Sequence, residues 1–287
     1  MTHRLVLGTV QLGMDYGVSN LGGQPSRQAA FELLTAAWEA GIRYFDTAPV
    51  YGSESLLGNF IIANGVNSEI KMLTKIPEIK NMNSWEEQFN NSLSRSLDNL
   101  KCTTIDTLFF HHASDANLLK AHPETFHRMM KQWPVSSFGI SVYEPGDCLA
   151  FQTANLPVAI QFPYNTVNRV FDALDWSLGP RFARSVFLQG LLASAGALRE
   201  NVPQAVVEFH RSYHSLLAQA NIEPKSFALS FALNAVNTDK VLIGVNSVKE
   251  LEELLACPLM TSSEQEEVSF QGLVINPKEL DPRVWPS

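Results

Sequence analysis

The sequence predicts a (β/α)8 barrel: parallel strands, each followed by a helix, closed into one cylinder. Three observations point to it. Short β-branched or apolar runs alternate with amphipathic helical stretches, and the alternation recurs about eight times along the chain. The apolar runs are short and bounded by polar residues, as suits strands buried on both faces beneath a layer of helices. The 287 residues allow about 36 per unit, close to a barrel of ~250 residues with insertions. An open doubly wound sheet is the alternative that the same alternation allows.

The strands expected in order are Arg4–Val10, Arg43–Asp46, Ile70–Lys75, Thr104–Phe110, Ser137–Val142, Val158–Gln161, Ala183–Leu188 and Lys240–Ile243. Between the first two, Phe31, Leu34 and Trp38 mark a helix closed by Gly41. Ser84-x-x-Glu87 reads as a capping box before a face of Phe89, Leu93, Leu97 and Leu100. Pro224 suits the first position of a helix carrying Phe227, Ala228, Phe231 and Ala235. Ser247-x-x-Glu250 is a second capping box, ahead of Leu251, Leu254 and Leu255. A helix over 203–220 is extra to the repeat, and the tail after Met260 lacks periodicity. Without a Pro/Ser/Gly-rich linker or a break in composition, the chain reads as one domain over residues 1–287.

Composition narrows the function. A hydrophobic content of 45% against 17% charged residues excludes global disorder. Lys and Arg number 21 against 29 Asp and Glu, a net charge of −8 that argues against sequence-independent nucleic-acid binding. Apolar runs are too short to span a bilayer, and Met1-Thr2-His3-Arg4 leads into Leu5 without a signal-peptide core. Three cysteines (Cys102, Cys148 and Cys257) with no CxxC spacing favour free thiols in a reducing, cytoplasmic setting over disulfides or zinc.

In such a barrel the chemistry gathers at the C-terminal ends of the strands. There the sequence offers Asp46, Tyr51 in the loop beyond it, Lys75 and His111. A phenol near pKa 10 is a poor acid at neutral pH, and a cation beside it favours the phenolate. Lys75 can be that cation, Asp46 can hold it charged, and His111 can orient a substrate oxygen. The group suits protonation of a carbonyl oxygen while hydride reaches carbon, and hydride requires a nicotinamide because no side chain supplies one.

The segment Phe45-Asp46-Thr47-Ala48-x-x-Tyr51-Gly52, with Lys75 and His111 at strand ends, resembles the aldo-keto reductases. So do Gly8-Thr9-Val10-Gln11-Leu12-Gly13, Gly139-Ile140-Ser141, Gln161 with Tyr164-Asn165, Gln189-Gly190-Leu191-Leu192, and Ile243-Gly244. The ordered set covers nearly the whole chain. The resemblance implies an NADPH- or NADH-dependent oxidoreductase acting on a small carbonyl or alcohol substrate, with Tyr51 as acid/base aided by Lys75, Asp46 and His111. It implies a cofactor site made of Ser141, Gln161, Arg184, Leu188, Gly190, Gly244, Asn246, Glu250 and Glu253.

The chain departs from the family pattern in three places. Val142 follows Ser141 where an Asn is frequent, and Arg184 stands where an aromatic residue often stacks on the nicotinamide. Gly244, Asn246 and Glu250 occupy positions where the family commonly offers cations to the 2′-phosphate, and Leu254 replaces an adenine-binding Asn. Lys249 is the nearby cation, and Glu250 could accept from an unphosphorylated ribose.

Other features carry plainer readings. Strand alternation lets only one of His111 and His112 face the barrel; His111 fits the family, and His112 is a candidate for the substrate side with Tyr16 and Trp285. His210 and His214 lie four apart, but without a carboxylate or Cys cluster they read as an exposed helix face, with no metal. Asp15, Asn165, Asn168 and Arg169 hint at a hydroxylated substrate such as a sugar. Two other functions compete: a Schiff-base lyase using Lys75, and a non-catalytic nicotinamide-binding regulatory subunit.

Overall fold

In the computed structural model, which describes residues 1–153, 158–174, 179–266, 268 and 278–285, the strands close as expected. They are β1 (Leu5–Gly8), β2 (Tyr44–Asp46), β3 (Lys71–Ile76), β4 (Ile105–Phe110), β5 (Val135–Ser141), β6 (Ala159–Pro163), β7 (Arg181–Arg184) and β8 (Lys240–Ile243). All neighbours are parallel and in chain order, and β1 pairs with β8 to complete the barrel.

Side chains on a strand alternate faces, so every second residue enters the barrel. Val6, Tyr44, Leu73, Phe109, Ala159, Phe182 and Leu242 form the packed interior layer. Gly139 leaves room there for the Phe109 ring: a Cβ at Gly139 would lie 2.5 Å from it. The outward residues of the same strands pack beneath the helices, for example Leu5, Leu7, Phe45 and Met72 on one side and Leu108, Phe110 and Ile140 on the other.

Most strands shift by one or two residues from the expected bounds, and two of the differences have a structural cause. Thr2–Arg4 forms a 3-10 turn and Val10–Gly13 a short helix (α1), so β1 is shorter at both ends than Arg4–Val10. β7 lies earlier than the expected Ala183–Leu188. Its apparent continuation, Val186-Phe187-Leu188, is buried loop, with Ser185 at φ 56° and Leu188 at φ 45°, outside the strand region.

The helices are α2 (Arg27–Glu39), α3 (Glu54–Asn64), α4 (Trp85–Leu100), α5 (Asn117–Ala121), α6 (Pro123–Gln132), α7 (Gly146–Thr153), α8 (Gln204–Gln219), α9 (Pro224–Asn234), α10 (Val248–Ala256) and α11 (Ser262–Glu266). Gly41, at φ 90°, follows the C-cap of α2. Pro224 opens α9, and Glu223 caps it by accepting from the Ser226 N–H. The Ser84 box does not form; Gln88 Nε2 instead donates to Ser84 Oγ at 3.2 Å. At α10 half the box forms: Ser247 Oγ accepts from the Glu250 N–H at 3.1 Å, while the Glu250 carboxylate turns to Asn246.

The extra helix is α8, and its histidines are not exposed. His210 and His214 are both buried, their rings 4.5 Å apart, and their Nε2 atoms bond the carbonyls of Ser194 (2.8 Å) and Leu191 (2.9 Å). They tie α8 to the loop after β7. Among the described residues no helix is long and apolar enough to cross a membrane, and no group of three or more His, Cys, Asp or Glu could hold a metal.

Candidate active site

Two residues beyond the packed layer, the inward positions become Gly8, Asp46, Lys75, His111, Ser141, Gln161, Arg184 and Gly244. The register places Gly8 beside Asp46 and Ser141 beside Gln161. His111 follows β4 and still donates its N–H to the Ile76 carbonyl at 3.1 Å. Every member of this polar layer except Lys75 lines a cavity of 780 Å³, a size typical of small-molecule sites.

Lys75 is 1% exposed and lies beneath the cavity wall. Its Nζ donates to Asp46 Oδ1 (2.8 Å), Asp46 Oδ2 (2.6 Å) and the Thr47 carbonyl (2.9 Å). Gln161 Nε2 also donates to Asp46 Oδ1 at 2.8 Å. Burial pushes the Lys75 ammonium below its ordinary value, and Asp46 opposes that shift. The Tyr51 ring sits over this pair, with Lys75 Nζ 5.0 Å from its centre. The phenol is displaced upward, not downward as the sequence suggested: burial dominates, Asp46 adds to it, and Arg184 opposes it. Tyr51 is therefore protonated throughout the neutral range. His111 meets the Tyr51 ring edge-on, their centres 5.9 Å apart. Burial first, then Lys75, pulls the imidazole down to about 3, so it is neutral at pH 7.

Tyr51 owes its position to close backbone packing. It ends a 3-10 turn (Pro49–Tyr51) closed by Gly52 at φ 77°. A Cβ on Gly13 would lie 2.0 Å from the Tyr51 carbonyl oxygen, so only glycine lets α1 approach that turn. Below it, the Ser53 hydroxyl bonds those of Thr9 and Thr47, each at 2.9 Å, and Thr9 Oγ1 donates to the Asp46 carbonyl at 2.9 Å.

The cavity continues along the loop after β7 to the start of α10. In that loop Ser185, Leu188, Gln189 and Gly190 all have positive φ, a concentration of uncommon backbone typical of functional loops. A Cβ on Gly190 would lie 1.7 Å from Ser19 Oγ, and one on Gly244 would lie 2.4 Å from Gln11 Nε2. At the far end the Asn246 side-chain oxygen is buried without a partner. The Glu250 carboxylate accepts from the Asn246 N–H at 2.8 Å and from its Nδ2 at 3.2 Å. Lys225 and Lys249 both pair with Glu253, at 3.0 and 3.9 Å.

The aldo/keto reductase family model matches residues 4–269. The chain belongs to the aldo/keto reductase family. This aldo-keto reductase is an oxidoreductase, and the family acts on carbonyl and alcohol groups with NAD(P)(H). It is 26% identical over 302 aligned residues to L-galactose dehydrogenase of Arabidopsis thaliana, covering 95% of this chain and 92% of that protein. It is 28% identical to norsolorinic acid reductase stcV of Emericella nidulans over 151 residues, 48% of this chain and 38% of that protein's length. Its fold matches a glycerol dehydrogenase from Gluconobacter oxydans with a TM-score of 0.71 at 18% identity, covering 98% of this chain and 91% of that one.

Of the residues singled out from sequence, Asp46, Tyr51, His111, Ser141, Gln161, Arg184, Leu188, Gly190, Gly244, Asn246, Glu250, Glu253 and Tyr16 all line this same cavity of the aldo-keto reductase. Three other readings are corrected. His112 is exposed and outside the cavity lining, because alternation turns it away from His111. Trp285 is buried against core side chains, its Nε1 donating to the Glu279 carbonyl at 2.6 Å, and lines no part of the cavity. The polar group read as a hint of sugar binding is structural: Asp15 pairs with Arg199, Arg169 with Asp172, and Asn165 folds its own turn with Asn168.

Sequence reasoning undervalued Tyr143, which lines the cavity. The signal was available, since Tyr143 extends the inward column of Gly139 and Ser141. Gln11, Gln189 and Lys225 also line the cavity; the first two lie in the family-like segments but carry no assigned role there, and no sequence pattern marks Lys225.

Proposed function

We propose that this enzyme interconverts an aldehyde or ketone and its alcohol, with Tyr51 as the group that gives and takes the proton at oxygen. One observation carries the reading: a phenol held protonated lines the cavity, edge-on to a neutral imidazole and above a sealed ion pair. A nicotinamide bound in the cavity would supply or accept the hydride at carbon. As negative charge grows on the carbonyl oxygen, Tyr51 donates its proton to it. The ammonium of Lys75, 5.0 Å from the ring centre, stabilises the phenolate left behind. Asp46 fixes Lys75 through both carboxylate oxygens. His111 offers the substrate oxygen one further hydrogen bond and fixes its approach.

The donor set fits a nicotinamide dinucleotide. Ser141 and Gln161 stand side by side for a carboxamide. Gly190 and Gly244, with Leu188, let backbone come close to phosphates, and the N-terminus of α10 favours negative charge. The unpartnered oxygen of Asn246, with Glu250 and Glu253, accepts from the adenosine end. We assign NADH as the preferred cofactor. Lys225 and Lys249 are both engaged by Glu253, and Glu250 suits ribose hydroxyls better than a 2′-phosphate.

A small hydroxylated carbonyl compound is the substrate class that the likeness to L-galactose dehydrogenase supports. Free cysteines suit the reducing cytoplasm. A Schiff base on Lys75 is disfavoured, because Nζ is sealed from the cavity and already donates three hydrogen bonds. The test is Tyr51→Phe. Turnover of a carbonyl panel with NADH should fall by about a thousandfold or more, while NADH still quenches tryptophan fluorescence. Near-normal turnover would remove Tyr51 from its role.

A further inference from the structure

The charges at the cavity mouth do not cancel. Lys75 is balanced by Asp46. Arg283, in the C-terminal segment, is balanced by Asp281, to which its Nε donates at 2.9 Å. Tyr16, Tyr51 and His111 are uncharged at neutral pH, since burial drives Tyr16 to about 12, Tyr51 higher still and His111 to about 3. That leaves Arg184 at the end of β7. Its Nη2 donates to the Val142 carbonyl at 2.9 Å, its Nη1 to Ser185 Oγ at 3.3 Å, and its guanidinium stacks 4.1 Å from the centre of the Tyr143 ring. Among the described residues no carboxylate forms an ion pair with it. Asp281 feels its charge, but bonds Arg283, which stacks on Tyr143 at 3.9 Å.

A half-buried guanidinium held rigid by a carbonyl and an aromatic face, with no anion of its own, is built to receive one. It lines the same cavity as the phenol and imidazole that face the reacting oxygen. We infer that Arg184 binds a negatively charged group, carboxylate or phosphate, carried by the carbonyl substrate. The inference rests on the oxidoreductase reading of Tyr51 and narrows its substrate class to anionic carbonyl compounds. Tyr16 and Tyr143 line the cavity with it and offer phenolic donors to the same anion. The rival is that Arg184 serves a phosphate of the cofactor.

The test compares kcat/KM at saturating NADH for two charged aldehydes, succinic semialdehyde and glyceraldehyde 3-phosphate, with the neutral butanal and glyceraldehyde. At least one charged aldehyde should exceed its neutral counterpart about tenfold or more, and which one separates carboxylate from phosphate. In Arg184→Gln that charged-to-neutral ratio should drop by about ten- to a hundredfold. Arg184→Lys should recover part of it, and Arg283→Gln should leave the ratio in place. Should none of the four aldehydes turn over, calorimetry on the NADH-saturated enzyme replaces the ratio. Succinate or phosphate should then bind more tightly than succinamide, and Arg184→Gln should abolish the difference. An unchanged ratio, no difference in calorimetry, or weaker NADH binding in Arg184→Gln without a change in ratio overturns the inference. Tyr51→Phe is run in parallel: if it kills turnover on every aldehyde while the ratio ignores Arg184, the oxidoreductase reading stands and this inference alone fails.

Discussion

Asp46 and Lys75 allow stability and chemistry to be separated. Both side chains are at most 5% exposed, and Nζ reaches its three acceptors within 2.9 Å. Asp46→Asn leaves an ammonium sealed from water with neutral partners only. Lys75→Met leaves a carboxylate whose remaining side-chain donor is Gln161. Breaking a buried pair from one side typically costs about 3–5 kcal/mol, whereas replacing both partners by neutral groups of similar size is often close to neutral. Each single variant should therefore lower the unfolding free energy by about 3 kcal/mol in urea titrations followed by circular dichroism. The double variant should lose no more than either single, giving a coupling energy of at least about 3 kcal/mol. It should fold well and still fail to turn over, because nothing then stabilises the Tyr51 phenolate. Additive single effects would refute the account of the pair, and a double variant with near-normal turnover would refute its part in the chemistry.

His111 carries a pH signature. Its folded value of about 3 lies under its ordinary 6.5, so below pH 6.5 the unfolded chain takes up a proton that the folded one refuses. Stability should fall by up to about 1 kcal/mol per pH unit from 6.5 toward 4, with no contribution above 6.5; His111→Gln should flatten that slope in urea midpoints at pH 5 and 7. Gly13→Ala puts a Cβ 2.0 Å from the Tyr51 carbonyl oxygen and 2.6 Å from the Ser53 nitrogen. Turnover should collapse at a stability cost of about 1–3 kcal/mol, and a fully active Gly13→Ala would contradict the packing argument. Glu253→Gln releases Lys225 and Lys249, so the NADPH-to-NADH ratio of kcat/KM should rise about fivefold; an unchanged ratio would show that neither lysine reaches the 2′ position.

The barrel was legible because parallel strands buried on both faces leave continuous apolar runs, and Lys240–Ile243 reads alike in sequence and structure. The site was legible for the same geometric reason. Asp46, Lys75, Gln161 and Gly244 each stand two residues beyond a packed inward residue, so one period carries the chain from core to chemistry. The strand-like Val186-Phe187-Leu188 misled because burial alone makes a segment apolar, whatever its dihedral angles. His210 and His214 read as surface because a polar ring bonded to a buried carbonyl looks, in one dimension, like any polar side chain. The rise of the Tyr51 phenol was hidden too, since burial drives it and Asp46 adds to it, and burial exists only once the barrel has closed around the ring.

Arg283 resting on Tyr143 has a practical corollary. The first residues and the last described turn sit at opposite poles: Arg4 and the His3 carbonyl bond residues bordering β8 at its entry end, while that turn touches the rim of the cavity. A tag, surface tether or fused fluorophore joined at Met1 should leave catalysis undisturbed. The same cargo attached through Val284→Cys, beside Arg283, should report on, or interfere with, what enters.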